Sequence, residues 1–502
     1  MGDLALPHIL PRVHDARREA RKYANFLLAL HARRAGAARV AHHPFDLTVD
    51  CATLCQLHCP YCAVGNGTIR RKPSLMDAAL HERLAAELAP DLFLAWYFSA
   101  GEPLLHPRLH EHLARTAGEE AFTVVSTNLS VPLTPARQEA LLRSGLGMLS
   151  ASVDGASAAT YAQYRRGGDF ALVMDNLAAL ARRKREMGLQ FPLLEWRFLL
   201  FAHNQHEVDA ARAMAADMGL DLLEFFPGYA LLPGAPGEQG VHPMTIPMPQ
   251  RPISGPAYEA GLARRETLVQ RLVADGMPPA PAPVDTAVDT PVDTTQDTAQ
   301  GTGAARSGGI GGQGGTRRRC DWLYYSGMIY PDGAFGPCCV ATDADDDFTR
   351  LDAHPDFGAA WNAPAFLRSR AAFAAGDDGN GKKRDGGGAV ASDVSGTGGA
   401  AGTVCDRCPL PVAQELQFVQ KVRAILRNAP DWVVRILAAA PGEFFLPSDQ
   451  RRLPVELAAL HRPDARALPA DPDALARLRA LAAAHPDPAL ARCADILERG
   501  HA

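Results

Sequence analysis

The chain reads as an α/β protein built on a parallel sheet, and three features of its 502 residues point there. From Phe45 to about Pro227, short apolar runs of strand length alternate with amphipathic stretches of helix length. The connections between them are short, so successive strands need helical crossovers and run parallel. The composition, 47% hydrophobic and 21% charged, is that of an ordinary globular chain with enough apolar surface for a sizeable core.

The predicted strands are Asp46–Val49, Leu92–Ser99, Phe122–Ser126, Met148–Val153, Leu193–Phe201 and Leu220–Phe226. Met76–Leu88, Pro135–Arg143, Ala171–Met187 and Gln205–Met218 are the amphipathic helices between them. Six such strands close most of a barrel. Residues 1–44 form a polar, Arg-rich helical lead-in with its helix at Ala20–Arg34, and the barrel unit spans 45–277. Pro278–Arg319 carries Pro-Ala repeats, four Asp-Thr pairs and a Gly-rich end, none of which can bury a core, so it reads as a disordered linker. A small unit at 320–410 follows, interrupted by a second insert of the same kind at 376–402. Residues 411–502, rich in Ala, Leu and Arg at helical spacing, make a helical C-terminal appendix.

Net charge is −5, from 51 basic and 56 acidic residues, which gives no general pull toward nucleic acid or an anionic membrane. No apolar run reaches the ~20 residues of a membrane span. The nearest, Phe191–Ala202, carries Glu195 and Arg197. With no basic-then-apolar leader at the N-terminus, a cytoplasmic protein is expected.

The ten cysteines stand at 51, 55, 59, 62, 320, 338, 339, 405, 408 and 493. Tight clusters in a large chain point to metal rather than to a disulfide framework. Cys55-Gln-Leu-His-Cys59-Pro-Tyr-Cys62 closely follows the first strand. Three neighbouring thiolates can hold three irons of a [4Fe–4S] cube and leave the fourth open to a ligand. The same spacing admits a Cys59/Cys62 redox dithiol, a zinc knuckle completed by His58 or Cys51, or incidental thiols.

Together with the aromatic Tyr61 before its third cysteine, this cluster resembles the signature of radical S-adenosylmethionine (radical SAM) enzymes. Further motifs follow in that superfamily's order. Ala100-Gly101-Glu102-Pro103 resembles the Gly-Gly-Glu segment that receives the methionine amino group, with Ala in place of the first Gly. Ser126-Thr127-Asn128 and Ser152-Val153-Asp154-Gly155 resemble segments lining the ribose and carboxylate. Tyr164-Arg165-Arg166-Gly167-Gly168 stands where an Arg pairs with the methionine carboxylate, and a guanidinium fork suits that partner. The resemblance covers 45–227 and implies a partial (β/α)6 TIM-like barrel, with Tyr61, Ala100, Gly101, Glu102, Ser126, Asn128, Ser152 and Arg165 as cofactor contacts.

Cys320 is followed by Pro331-Asp332-Gly333, a hairpin signal between two apolar runs, then Cys338-Cys339 and Cys405-x2-Cys408. The hairpin brings Cys320 toward Cys338 or its neighbour Cys339, and Cys405 and Cys408 supply two further sulfurs. A four-cysteine zinc ribbon fits this spacing too. The arrangement resembles the SPASM and twitch extensions of radical SAM enzymes, small α+β domains carrying an auxiliary [4Fe–4S] cluster. Trp361-Asn362 sits where such a pair often occurs, and the lack of cysteine in Pro409–Leu426 favours twitch and one cluster.

The resemblance implies an enzyme that reductively cleaves SAM to a 5′-deoxyadenosyl radical, drawing electrons from a flavodoxin- or ferredoxin-type donor. The expected reaction is a two-electron oxidation of a small polar metabolite, sugar- or cyclitol-like. Cross-linking or other modification of a ribosomally made peptide is the alternative, and a non-catalytic zinc-binding regulator the alternative from another class. Side-chain alternation puts Glu195 and Arg197 on the inner strand face as possible substrate contacts, with Glu224 a weaker one, and Trp196 and Phe198 on the outer face.

Overall fold

The computed structural model describes residues 10, 12–60, 62–201, 203–227, 320–338, 341–374, 403–407, 411–439, 441–446 and 449. Their first half runs α1 (Ala16–Ala35), β1 (Asp46–Val49), α2 (Ala78–Leu88), β2 (Leu94–Tyr97), α3 (Leu109–Ala117), β3 (Phe122–Thr127) and α4 (Pro135–Arg143). It continues with β4 (Met148–Ser152), α5 (Ala158–Tyr164), α6 (Phe170–Glu186), β5 (Leu193–Leu200), α7 (Val208–Met218) and β6 (Leu222–Pro227). Then come α8 (Trp322–Tyr325), β7 (Ser326–Ile329), β8 (Ala334–Gly336), β9 (Thr349–Arg350), α9 (Phe357–Trp361) and α10 (Pro364–Ala374). The last are α11 (Pro411–Arg427), α12 (Asp431–Ala439) and α13 (Pro441–Phe444). The linker expected at 278–319, the insert at 376–402 and the end of the C-terminal region lie outside the described residues.

The sheet order is β6-β5-β4-β3-β2-β1-β7-β8-β9, an open partial barrel among the described residues. Strands β1 to β6 pair in parallel, as alternation with helices demands. Strand β7 pairs in parallel with β1 from Asp46↔Ser326 to Val49↔Ile329, and β8 and β9 add antiparallel edges. The hairpin turn at Pro331-Asp332-Gly333 forms as expected, with Gly333 at φ 81°, where a Cβ would be strained. The smaller unit thus joins the barrel's own sheet through its first strand.

Side-chain direction is settled by Tyr97, whose hydroxyl meets His81 Nε2 at 2.9 Å and Thr116 Oγ1 at 2.7 Å under α2 and α3. Its neighbour Trp96 therefore points inward, where its indole donates to Asp46 Oδ1 at 2.7 Å. By register, Asp46, Thr48, Ser126, Ser150, Ser152, Glu195, Arg197 and Glu224 share that inner face.

The barrel floor is built by elements far apart in sequence. Helix α1 is capped by Asp15, which accepts from Arg17 N and Arg18 N, both at 2.9 Å. It packs Phe26 edge-on to Phe45 at 5.2 Å and Tyr23 to Phe93 at 5.0 Å, below β1 and β2. The ammonium of its buried Lys22 donates to Ala89 O and Leu92 O. Helix α11 closes the floor from the other side: Lys421 pairs with Asp46 and lies 5.2 to 5.5 Å from the rings of Tyr325, Trp322 and Trp96. Phe418, Val422, Ile425, Val433 and Phe444 are buried in the same core as the barrel strands, so α11 to α13 are part of the main fold.

Outside the sheet, three imidazoles cluster. His81 and His112 lie 3.9 Å apart and nearly parallel, and His106 sits 4.4 Å from His112. Burial holds His81 down to about 3 and His112 to about 2, and lowers His106. A histidine neutral in the folded chain but free to protonate near its ordinary value of about 6.5 when unfolded makes the unfolded state bind more protons as pH falls. Stability is therefore full above about pH 6.5 and should fall below it by up to about 1.4 kcal/mol per pH unit per histidine. Urea unfolding at pH 7.5, 6.0 and 5.0 measures this; His112→Leu should flatten the slope, and an unchanged slope would mean the ring is already protonated.

Candidate active site

The loop after β1 carries Cys55, Cys59 and Cys62, and all three are free thiols. It is set at the C-terminal mouth of the strands, where parallel barrels place their chemistry. Gly101 allows this: a Cβ there would lie 1.8 Å from Ala52 O and 2.6 Å from Leu54 N, so the β2 end can touch the cysteine loop only without a side chain. Burial pushes Cys55 up to about 12 and raises Cys59, and the three thiols lie within electrostatic reach of one another. Buried thiols stay protonated unless a cation compensates, which is what iron or zinc supplies on binding. Leu57 N at 3.4 Å and Asn128 Nδ2 at 3.5 Å already donate to Cys55 Sγ.

Asn128 is oriented from every side. Its carbonyl oxygen accepts from Gln56 Nε2 at 3.0 Å and Ser130 N at 2.9 Å, and its backbone N–H donates to Glu102 Oε2 at 2.7 Å. Leu129 beyond it takes φ 56°, a left-handed turn uncommon for a branched residue, held by Leu129 N on Thr127 Oγ1 and Asn176 Nδ2 on Leu129 O. Glu102 is itself buried and also accepts from Thr127 Oγ1 at 2.6 Å and Leu104 N at 2.9 Å. Its carboxylate is thus committed to pinning the Ala100-Gly101 backbone to the end of β3.

Arg165 donates through Nε to Asp154 Oδ2 at 2.6 Å, and its guanidinium also reaches Cys59. Asp154, wholly buried, is fixed by Leu199 N at 2.7 Å. Asp154, part of a motif expected to line the ribose and carboxylate, and Gln56, which no motif singles out, are each an orienting group one bond behind an expected contact. Ser126 and Ser152 lie half-buried on the inner face. Tyr61 falls outside the described residues. Cys51 is fully buried in the apolar core, and His58 is exposed with its N–H on Arg166 O at 2.7 Å.

Asp50, also unassigned from sequence, continues the inner face of β1 beyond Thr48. The N–H groups of Ala100 and Ala52 donate to its carboxyl, burial pushes it up to about 8, and Oδ2 has no hydrogen-bond partner among the described residues. Ser150 Oγ, lower on the inner face, is likewise buried without one. Glu195 is completely buried, and Arg197 holds its guanidinium 4.4 Å over the Phe226 ring. Trp196 points outward as expected and donates to Val153 O at 2.8 Å.

At the second cluster, Cys320 and Cys338 are buried and Cys405 half-buried, and the Cys320 thiol is raised first by burial, then by Cys338 and Cys405 beside it. Cys339, Cys408 and Cys493 lie outside the described residues. Trp361 is buried against Phe335, and Asn362 bonds the Val40 backbone through both Oδ1 and Nδ2 at 2.9 Å. Among the described residues, no three Cys, His, Asp or Glu side chains converge as one metal ion would need.

Fold and loop together place three free thiols at the mouth of an open parallel barrel. Residues 51–192 match the model of the Radical SAM superfamily, and the chain carries a radical SAM domain there. That family implies SAM and a [4Fe–4S] cluster. Solved structures similar to this chain include BtrN in complex with AdoMet and 2-DOIA (13% identity over 67% of this chain and 89% of that one, TM-score 0.34). Others are SuiB of Streptococcus suis (13%, 66% and 68%, TM-score 0.40) and native anSMEcpe with bound AdoMet (12%, 64% and 83%, TM-score 0.36). No curated protein matches the chain, and no helix among the described residues is long and apolar enough to cross a membrane.

Glu102→Gln would turn an amide N–H toward donors that now meet a carboxylate. It should cost about 1–3 kcal/mol in urea unfolding. A change near zero would mean the carboxylate is not engaged as described.

Proposed function

We propose that the chain is a radical SAM oxidoreductase that removes two electrons from a small polar metabolite, sugar- or cyclitol-like, with help from a second iron–sulfur site. The observation that supports this most is the convergence of Asn128 on Cys55 and of Arg165 on Cys59 at the barrel mouth. Cys55, Cys59 and Cys62 would hold three irons of a cube, and Ala100, Gly101, Ser126, Asn128, Ser152 and Arg165 would receive SAM. When bound, these groups supply a 5′-deoxyadenosyl radical able to take hydrogen from an unactivated C–H.

Around that chemistry the chain's residues orient and exclude. Asp154 holds the Nε side of Arg165 and the guanidinium reaches Cys59, so the fork stands beside the cysteine loop where a carboxylate of SAM would meet it. Glu102 and Thr127 hold the backbone at Ala100 and Gly101, whose carbonyls can accept from an ammonium. The inner face presents Asp50, Ser150, Glu195 and Arg197 toward a hydroxyl- or amine-bearing substrate, while Lys421 packs on Trp96 and Tyr325 at the floor.

Cys320, Cys338, Cys405 and Cys408 would form the auxiliary [4Fe–4S] site, a reading supported by the electrostatic interaction of the Cys320 thiol with Cys338 and Cys405. Held there, such a centre would supply a second redox group beside the barrel. A flavodoxin- or ferredoxin-type donor and a cytoplasmic setting suit the reading.

Reconstituted without oxygen, the protein should hold about eight irons, four per cluster. Cys55→Ala should abolish 5′-deoxyadenosine formation with dithionite, and Cys320→Ala should halve the iron yet spare uncoupled SAM cleavage. About one zinc per cluster and no cleavage would overturn the enzyme reading. Loss of two hydrogens from a peptide encoded beside this gene would overturn the small-molecule substrate.

A further inference from the structure

The cysteine loop does not end its work at Cys62. It runs on through Val64 and Ile69, which pack on Ala100, Met328, Tyr330 and Ala334, and then presents two arginines to the segment that follows Cys338. Arg70, exposed at the rim, bonds Asp343 through its backbone N–H at 2.9 Å and its guanidinium at 3.0 and 3.1 Å. Arg71 goes inward. Its side chain is only 1% exposed, and its guanidinium carbon lies 3.4 Å from the centre of the Tyr330 ring.

From there Arg71 donates to Thr342 O at 3.2 Å, to Asp343 O at 3.4 Å and to the Asp347 carboxylate, with Asp332 at 3.5 Å. Tyr330 completes the grip by donating its hydroxyl to Ala341 O at 2.6 Å, while Ala341 N bonds Cys338 O at 3.2 Å. One buried guanidinium thus holds both carbonyls and a carboxylate of the chain just past Cys338. Beside Cys320 the pattern repeats. Arg33 of α1, also 1% exposed, makes two bonds of 2.6 and 2.9 Å to Asp321, next to Cys320, and two of 2.6 and 3.1 Å to Asp449.

A planar fork that bonds carbonyls and carboxylates from a buried position fixes angles as well as distance, which an ammonium cannot do. Burying a guanidinium is costly unless its partners are all in place, so its site tolerates little movement. We infer that Arg71 is a positioning residue for the second cysteine site, setting Cys338 against the loop of the first site as Arg33 sets Cys320. The inference concerns the distance between two thiol clusters and rests on the reading of both as iron–sulfur sites.

Two measurements on the full chain test it. In metal-free protein, Arg71→Gln should speed amide hydrogen exchange across 338–347 by about ten-fold or more, with β3 and β4 unchanged as internal reference. In a Cys55→Ala, Cys59→Ala, Cys62→Ala background reconstituted with iron and sulfide, Arg71→Gln should change the EPR spectrum and midpoint potential of the remaining cluster. Arg71→Lys should restore only part of either signal, because it keeps the charge and loses the fork. Unchanged exchange in 338–347, or a rise shared equally by β3 and β4, would overturn the inference, as would a spectrum and potential identical to the parent. If the background binds no iron, the reading of the second site fails, and the exchange measurement still decides the role of Arg71.

Discussion

The parallel pairing of β1 with β7 is the constraint on which the rest of the structure depends. It places β1 between β2, whose end carries Ala100-Gly101-Glu102, and the hairpin that leads to Cys338. A loop leaving the C-terminal end of β1 is then flanked by both. The strand order delivers Cys55, Cys59 and Cys62 to that place, and Asn128 and Arg165 then meet Cys55 and Cys59 there. Asp50 shows the consequence at atomic scale: its N–H bonds Ile329 O of β7 at 2.8 Å, while its carboxyl accepts from Ala100 beyond β2.

Buried cations reinforce that order at its seams. Lys22, Arg33, Arg71 and Lys421 each cross between segments remote in sequence and each ends on carbonyls or carboxylates. Such contacts add little net stability, because desolvating a charge offsets most of what its partners return. Removing one partner is different, since it strands a buried charge at about 3–5 kcal/mol. Paired cations of this kind therefore work mainly as registers. They make misdocked arrangements of α1, the hairpin and α11 costly, while apolar contacts such as Phe26 on Phe45 carry the burial energy.

Period and punctuation made the barrel legible. Each of the six strands was placed within two residues at its start, because apolar runs in a parallel sheet stand out against amphipathic helices. The cysteine spacing and the motif order located the mouth of the barrel. What stayed hidden was long-range. Nothing in Ser326–Ile329 says that it pairs with a strand 280 residues earlier (326 − 46), since register is a property of two segments and only one is visible at a time. Helix α1 read as a polar lead-in because Lys22 and Arg33 look like solvated charges until their partners at 89, 92, 321 and 449 are in view. Asp50 was open to discovery: it continues the alternation of Asp46 and Thr48, and a carboxylate on the inward phase of a barrel strand is a signal in itself.

The same strand order bears on why one chain would keep two thiol clusters on one sheet. Electron transfer between redox centres weakens steeply with separation, so a second centre is useful only if its distance from the first does not drift. Two domains joined by a flexible linker would let it drift, because interfaces between domains are small and mobile by default. Here the second site grows from the strand hydrogen-bonded to the one that launches the first, and its flanks are held by Arg71 from the first loop and Arg33 from α1. Helix α11, which begins just beyond Cys408, then reaches back to put Lys421 on Asp46 at the barrel floor. Mouth, floor and second site are thus built on one continuous sheet and tied by buried cations that cross between them.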